Sequence, residues 1–403
     1  MELRFTDEQE AMRRKARTFA RQEIVPCLPD MERDDAFPRR LVARMADEGL
    51  MGIPIPKEWG GAGADFVSYI AAIHELSKAS ATFGVILSVH TSVGTLPLLS
   101  HGTEEQKRQY VPRLAAGEWL GAFALTEPSA GSDAASIRTT ATREGDRYIL
   151  NGSKVFITNS GAADLYLTFA VTASGRGARG ITAILLEPGM PGFRVGRPER
   201  KMGLHGSNTG ELQLDGVSVP AAQRLGEEGA GFAVALGALD GGRIGIAAQA
   251  LGIAEAALEA AATRLLPDSR NSRIGADCPG GLGTPGGPSR SRATGADSAR
   301  AGAVLAKLAA LAQQVEAARL LVYRAACLRQ AGRPCTREAS TAKLFASDTA
   351  VAVTGEAIEL LGPEAWSKEL PFERLFRDAK VTQIYEGTNE IHRIVIGNHL
   401  LKE

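Results

Sequence analysis

Glu386 is the residue whose surroundings point most directly to chemistry. It stands in the segment Gln-Ile-Tyr-Glu-Gly-Thr-Asn-Glu at positions 383–390, between apolar side chains and a glycine, just ahead of a helical run. Burial beside apolar groups raises the pKa of a carboxyl group toward neutrality, where it can act as a general base. The start of the next helix favours the ionised form and lowers the same pKa. The sequence leaves open which influence prevails.

A second segment with chemical potential is Ala-Leu-Thr-Glu-Pro-Ser-Ala-Gly-Ser-Asp at positions 124–133. A short strand-like run leads into a loop that Pro128 and Gly131 make tight. Backbone N–H groups and the Thr126 hydroxyl then offer paired donors and acceptors, which suit the polar edge of a heterocyclic ring. Taken alone, the segment is equally an ordinary β-turn loop.

Three further segments complete the pattern. They read Lys-Val-Phe-Ile-Thr-Asn at 154–159, Leu-Asp-Gly-Gly-Arg-Ile-Gly-Ile-Ala at 239–247, and Pro-Phe-Glu-Arg-Leu-Phe-Arg-Asp-Ala-Lys at 371–380. Taken singly, the first is an ordinary strand with an inward aromatic and the second a surface helix with an arginine. Together with the two segments above, they resemble the acyl-CoA dehydrogenase family, flavoenzymes that desaturate acyl-CoA thioesters.

The resemblance implies a role for each matching residue. Glu386 becomes the catalytic base, and Gly242 stands where some relatives keep that glutamate, so it cannot compete for the role. The residues implied to contact FAD are Phe123, Leu125, Thr126, Phe156, Thr158, Thr388 and Glu390. The residues implied to contact the acyl-CoA are Ser132, Asp240, Arg243, Tyr385 and Gly387. No metal site is implied.

The implied reaction is the FAD-dependent α,β-dehydrogenation of an acyl-CoA. Glu386 removes the α-proton while a hydride passes from the β-carbon to flavin N5. The backbone N–H of Glu386 and a ribityl hydroxyl of FAD polarise the thioester carbonyl. The glycine pair before Arg243 resembles the short-chain, butyryl-type members, and an electron-transfer flavoprotein is the implied electron acceptor. Two alternatives remain open: an inactive, flavin-poor acyl-CoA-binding homologue, and an acyl-CoA oxidase.

Two departures from the family concern the cofactor. Residues 267–295 are rich in glycine and proline and read as loop or disorder, where the family carries a helical hairpin with an Arg-x-x-Phe-Gly element. The segment is either an insertion or a shifted reading frame. Further on, a glycine-rich family signature is reduced to Gly362 and Trp366, with Pro363 and Ala365 between them. Because proline lacks an N–H and alanine disfavours positive φ, both changes predict weaker FAD binding.

Composition narrows the class of protein. The chain has 403 residues, 44% hydrophobic and 23% charged, with 46 basic and 46 acidic residues. This balance excludes a general nucleic-acid binder. Four cysteines without a CxxC pair predict a reducing, cytoplasmic setting, and the acidic N-terminus does not resemble a secretory signal. No apolar run is expected to be long enough to span a membrane. By resemblance, the protein is a homotetramer.

The elements that must position these residues follow a helix, strand, helix order. Periodicity predicts an α+β fold with an N-terminal helical domain (1–119), a central β domain (120–228) and a C-terminal four-helix bundle (229–403). Thr6 with Gln9, and Thr103 with Gln106, have capping-box spacing. The first helix is expected to end at Pro26. The run at 175–180 satisfies G-x-G-x-x-G but precedes a strand, which predicts a hairpin loop.

Overall fold

A computed structural model describes residues 4–265 and 295–401 of the chain. The helices are α1 (Asp7–Phe19), α2 (Leu28–Asp34), α3 (Arg39–Asp47), α4 (Phe66–Ala79), α5 (Ala81–Ser88), α6 (Leu96–His101), α7 (Glu104–Ala115), α8 (Gly231–Leu265), α9 (Gly295–Gln330), α10 (Thr336–Leu361), α11 (Phe372–Val381) and α12 (Asn389–Leu400). The strands are β1 (Gly121–Ala124), β2 (Thr140–Glu144), β3 (Arg147–Thr158), β4 (Leu165–Val171), β5 (Ile181–Leu186), β6 (Phe193–Pro198), β7 (Thr209–Pro220) and β8 (Arg224–Leu225). The predicted α+β order is confirmed, whereas the exact domain boundaries stay predictions.

The strands form one sheet in the order β6-β7-β3-β2-β4-β5-β8, with β1 paired to β4. The β1–β4 and β2–β4 pairs are parallel, and the other pairs are antiparallel. Alternating residues of β3 and β7 bury one face, which is the pattern of a sheet with one side on a core. The run at 175–180 lies between the antiparallel strands β4 and β5, so the predicted hairpin loop is confirmed.

Both predicted capping boxes are present, at the starts of α1 and α7. The expected stop at Pro26 is wrong. The chain continues as a π-helical segment (Ala20–Ile24) and a 3₁₀ turn (Val25–Cys27) directly into α2, which ends at Asp35 in a left-handed conformation. Proline is tolerated there because it occupies the first turn of a new helical segment, where its missing N–H has no intrahelical partner.

The expectation about apolar runs is also wrong. The continuous helical stretch Ala81–His101 and helix α8 are long and apolar enough to cross a membrane by length and composition alone. Their apolar windows are 89% and 72% buried inside the protein, however, so both are central core helices. Helix α8 packs along α4 and α10, and this contact joins the N-terminal and C-terminal helical regions in one core.

The C-terminal helices hold the segment that carries Glu386. Helix α10 packs against α8, α9, α11 and α12, and the Glu386 segment connects α11 to α12. Residues 267–294 of the predicted loop lie outside the described residues. Helix α9 begins at Gly295, nine positions before the predicted start at Val304.

Candidate active site

The turn around Glu386 has an unusual backbone. Glu386 has a φ of 53° and Gly387 a φ of 93°, so two successive residues are left-handed. A non-glycine residue in this region costs about 1 kcal/mol or more and persists where its surroundings hold it in place. Thr388 then caps α12, its hydroxyl accepting a hydrogen bond from the Ile391 N–H at 3.4 Å. The strained turn directs the Glu386 side chain away from α12 and toward α8.

The Glu386 carboxyl group lies against Gly242 of α8. A Cβ atom placed on Gly242 would lie 2.5 Å from Glu386 Oε2 and 2.8 Å from Cδ, so glycine is what leaves room for the carboxyl group. Glu386 Oε2 is buried and has no hydrogen-bond partner among the described residues. Burial raises the pKa of Glu386 to about 7, against the opposing attraction of Arg243 and Lys343. Of the two opposing influences on this pKa, burial and the start of α12, burial therefore prevails.

The substrate candidates on α8 form a second part of this wall. Arg243 is buried and donates from Nη1 to Asp240 Oδ1 at 2.9 Å, while Asp240 Oδ2 accepts from the Thr336 hydroxyl at 2.6 Å. The Arg243 Nε atom is buried without a partner in the described part of the chain. The Tyr385 hydroxyl bonds to Gln249 of the same helix. Arg243, whose charge acts on the Glu386 carboxyl group, is thus held in place by Asp240, and the Tyr385 side chain is held by Gln249 of α8.

The cofactor candidates of the β domain form a separate group. The Phe156 ring is 64% exposed, and its φ of 57° coincides with a register shift between β3 and β7. The Val155 N–H donates to the Thr126 carbonyl at 2.9 Å, which brings the two predicted segments side by side. Thr158 ends β3, half-buried and paired with Thr209 of β7. Leu125 is buried next to Thr126.

The remaining predicted residues have less defined surroundings. The Phe123 ring packs tilted against Phe169, with ring centroids 4.9 Å apart and an interplanar angle of 58°, so it lies half-buried against the domain core. Ser132 is exposed in the loop after β1. Glu390 is exposed in the first turn of α12, 3.6 Å from Arg393. Hydrogen bonds and ring contacts join residues within the β-domain group and within the bundle group.

A shallow cleft lies where α12 begins. It encloses about 210 Å³ and includes Thr388 and Glu390 together with the cationic side chains Lys380 and Arg393. Two carboxylates, Asp348 and Glu390, line the same cleft and lie 3.5 Å and 3.6 Å from Arg393, so the charges of the side chains balance. The N-terminus of α12 is the remaining feature that favours an anionic group such as phosphate.

One predicted weakness is absent. Gly362–Trp366 forms a 3₁₀ turn in which Gly362 has a φ of 69° and Ala365 is not among the left-handed residues. Pro363 sits in the first turn of this segment, where a free N–H has no helical acceptor. The expectation that Ala365 must adopt a positive φ is therefore wrong, because the residue with a positive φ in this turn is Gly362.

Three residues near Glu386 escaped the sequence reasoning. Lys343 of α10 is fully buried, and burial lowers its pKa to about 7. His392 of α12 is fully buried beside Gly387, and neither ring nitrogen has a partner within the described ranges. Gln249 interrupts an apolar stretch of α8. For Lys343 and Gln249, the signal in the sequence was a polar residue in an alanine-rich run where a helix is expected to be buried.

The sequence matches three domain families, described as acyl-CoA dehydrogenase N-terminal domain (residues 6–118), middle domain (122–217) and C-terminal domain (289–401). The chain belongs to the acyl-CoA dehydrogenase family. It is 54% identical over 399 residues to an acyl-CoA dehydrogenase of Bacillus subtilis strain 168, covering 99% of each chain. This family membership makes the protein an oxidoreductase of a flavoprotein family and confirms the resemblance drawn from the motifs.

Two solved structures resemble the whole chain. The butyryl-CoA dehydrogenase of Megasphaera elsdenii has a TM-score of 0.90 at 42% identity, with 100% of both chains covered. A chain from a structural study of the electron transferring flavoprotein of Acidaminococcus fermentans, concerned with flavin-based electron bifurcation, has a TM-score of 0.90 at 43% identity, again over 100% of both chains. The three-domain architecture of the acyl-CoA dehydrogenases therefore extends over the complete chain.

Proposed function

We propose that the protein is a FAD-dependent short-chain acyl-CoA dehydrogenase that forms trans-2-enoyl-CoA, with Glu386 as the base. The observation that carries this proposal is the buried carboxyl oxygen of Glu386, unpartnered among the described residues, with a pKa raised to about 7. A general base works best when its pKa lies near the operating pH. The likeness to butyryl-CoA dehydrogenase supports a short acyl chain.

The residues of the β domain fit a flavin. The exposed Phe156 ring offers a flat apolar face, and a planar ring system lying on it would remove that face from water. Thr126 and Thr158 supply hydroxyl groups close by, and Phe123 and Leu125 form the apolar support beneath them. Thr388 and Glu390, in the cleft at the start of α12, would contact FAD there, with the backbone N–H groups of the helix N-terminus facing its phosphates. A bound flavin would supply the acceptor for the hydride that leaves the β-carbon of the acyl chain.

The chain's own residues perform the acid–base part of the reaction. Glu386 takes the α-proton onto its carboxyl group, and Gly242 leaves the space in which that group stands. The Glu386 and Gly387 backbone, held left-handed, orients the Glu386 N–H that we propose to polarise the thioester carbonyl. Arg243 and Tyr385 line the wall against which the acyl group lies, and Ser132 and Asp240 complete the proposed substrate contacts.

We further propose an electron-transfer flavoprotein as the partner and a cytoplasmic homotetramer as the working form. The likeness to a chain from the electron transferring flavoprotein study supports the partner. Trp366 and Leu401 are 72% and 87% exposed in the single chain, and we propose that both are covered in the assembly. Size-exclusion chromatography with light scattering tests the assembly, since a monomer at micromolar concentration would contradict it.

The decisive experiment is a visible absorbance spectrum of the purified protein before and after butyryl-CoA is added without oxygen. We expect a yellow protein that bleaches, and a Glu386→Gln variant that stays yellow. The exposed Glu144→Gln variant on β2 is the matched control and should bleach like the parent. A protein that stays colourless and inert with added FAD would instead be an acyl-CoA-binding homologue. Peroxide formed in air without an electron carrier would indicate an oxidase.

A further inference from the structure

Lys343 lies directly beneath the turn that carries Glu386. It projects from α10, is fully buried, and donates from Nζ to the Gly387 carbonyl at 2.7 Å and to Asn389 Oδ1 at 3.0 Å. An ammonium group rarely enters a protein interior unless a specific contact requires it, because its desolvation is costly. Here both acceptors are neutral oxygens of Gly387 and Asn389, which follow Glu386 in the chain. The hydrogen bonds that offset the cost of burying the ammonium group exist only while the turn keeps its observed conformation.

The same turn is fastened to α10 at two more points. Asn389 donates from Nδ2 to Ser347 Oγ at 2.9 Å and to Asp348 Oδ1 at 2.7 Å. Gln383, at the other end of the turn, donates from Nε2 to the same Asp348 oxygen at 2.6 Å. Asn389 and Gln383 are thus held at the turn's two ends, and Lys343 holds its middle. A strained left-handed pair requires such over-determined surroundings.

Charged and titratable groups face Glu386 from each helix packed against it. Arg243, paired with Asp240, approaches from α8, and Tyr69 from α4. Lys343 and Asp348 belong to α10, and His392 and Glu390 to α12. Burial keeps His392 neutral by lowering its pKa to about 3. Arg243 and Lys343 are therefore the groups whose positive charge favours the ionised form of Glu386.

We propose that Lys343 is a positioning residue for the reaction: its ammonium group fixes the Gly387 carbonyl, and so the orientation of the Glu386 turn, and its charge favours the carboxylate form of Glu386. The inference rests on the proposed function, because it assigns Lys343 to the same base. Arg243 is already neutralised in part by Asp240, whereas the Lys343 contacts described are to neutral oxygens. Burial lowers the pKa of Lys343 to about 7, so below that pH the residue is protonated and supplies charge that a carboxylate contact does not cancel.

The test compares Lys343→Met with two α10 variants. Lys343→Met keeps the length and apolar stem but removes the donors and the charge. Ser347→Ala loosens the Asn389 fastening and leaves the charge in place. Thr354→Val replaces a buried hydroxyl bonded to the Ala350 carbonyl within the same helix, away from the turn, and serves as the packing control. The measurement is the rate of anaerobic flavin bleaching by butyryl-CoA as a function of pH.

For Lys343→Met we expect a lower maximal rate and an acid limb displaced upward by roughly one pH unit, which is about a tenfold additional loss below that limb. Ser347→Ala should lower the maximal rate without displacing the limb, and Thr354→Val should change neither. If Lys343→Met only lowers the maximal rate and leaves the acid limb in place, the charge part of the proposal is overturned. If the maximal rate is unchanged as well, the positioning part is also overturned.

A second measurement is independent of flavin and activity. Melting temperatures of the parent, Lys343→Met, Glu386→Gln and the double variant form a cycle at neutral pH. We expect Lys343→Met to lower the melting temperature more in the parent than in the Glu386→Gln background, because the lost attraction requires the Glu386 charge. Additive shifts would contradict the proposal even in a colourless protein. Non-additive shifts in a protein that does not bleach would support the charge coupling between Lys343 and Glu386 and reject the proposed function instead.

Discussion

Glu127 and Glu386 are two enclosed carboxylates placed in opposite surroundings. Glu127 accepts hydrogen bonds from Lys154 Nζ at 2.7 Å and from the backbone N–H groups of Arg138 at 2.6 Å and Thr139 at 3.0 Å. Glu386 has an oxygen with no partner in the described chain. Burial opposes ionisation at both sites, but Lys154 and the hydrogen bonds lower the pKa of Glu127, whereas burial prevails at Glu386.

The difference separates a structural carboxylate from a reactive one. Both carboxylate oxygens of Glu127 accept hydrogen bonds. Its partner Lys154 also donates to the Leu125 carbonyl at 3.1 Å, so the pair holds the Leu125–Thr126 segment in place. Glu386 keeps an oxygen free for a proton from outside the protein. The same residue type therefore serves the scaffold in the β domain and the chemistry in the bundle, and its partners decide which.

The largest expected effect is on the rate of Glu386→Gln. An amide cannot accept the α-proton, so we expect the rate of flavin bleaching to fall on the order of 10³-fold. Butyryl-CoA should still bind, which a substrate-induced change in the flavin spectrum would report. A loss of less than about tenfold would mean that another group is the base.

The next effect is on stability, at Lys154→Met. Lys154 is fully buried, and its removal leaves the Glu127 carboxylate enclosed without its cation. Breaking one partner of a buried pair costs roughly 3–5 kcal/mol, so the free energy of unfolding in urea should fall by about that amount. Arg33→Met, which removes exposed ion pairs with Asp30 and Asp34, is the control and should cost much less, because water screens exposed charges. Equal losses would show that the buried pair carries no special weight.

The sequence was sufficient for the broad plan. The capping boxes, the helix–strand–helix order and the Glu386 and Thr126 segments follow from local spacing and from motifs, because each is written within a few consecutive residues. The path through Pro26 was not predictable in this way, since a proline that stops one helix can equally begin the next. The helical stretch Ala81–His101 was not predicted for a different reason: it is apolar on all sides and lacks amphipathic periodicity.

The electrostatics of the site could not be predicted from the sequence. Lys343 lies 43 positions before Glu386, and only the packing of α10 beneath the turn brings it to the Gly387 carbonyl. Gly242 was noted for lacking a carboxylate, but its use as space for the Glu386 carboxyl group requires the distance between α8 and the turn. Long-range contacts of this kind depend on tertiary packing, which local propensity does not encode.

A smaller kinetic effect is expected at Gly242→Ala. The added methyl group would meet Glu386 Oε2 at 2.5 Å, so the carboxyl group must move away from its place on α8. Misplacement of a reacting group by about 1 Å costs on the order of 10²-fold in rate. Gly237→Ala on the same helix meets no atom within 4 Å and is the matched control, with unchanged bleaching. Equal rates for both variants would place the working carboxyl group elsewhere.

The smallest effect distinguishes the two carboxylates by pH. The folded pKa of Glu386, about 7, lies above its ordinary value of 4.5, so between these values the folded protein binds more protons than the unfolded chain. Stability associated with this group therefore falls as the pH rises through that window. Glutamine does not titrate, so Glu386→Gln should melt close to the parent near pH 5 and above it near pH 8. A Glu127→Gln variant should show the opposite trend, because the pKa of Glu127 is lowered on folding and its contribution is present above 4.5 and lost on acidification. A melting-temperature difference between Glu386→Gln and the parent that stays constant from about pH 5 to about pH 8 would show that the Glu386 carboxyl group is not held protonated by burial.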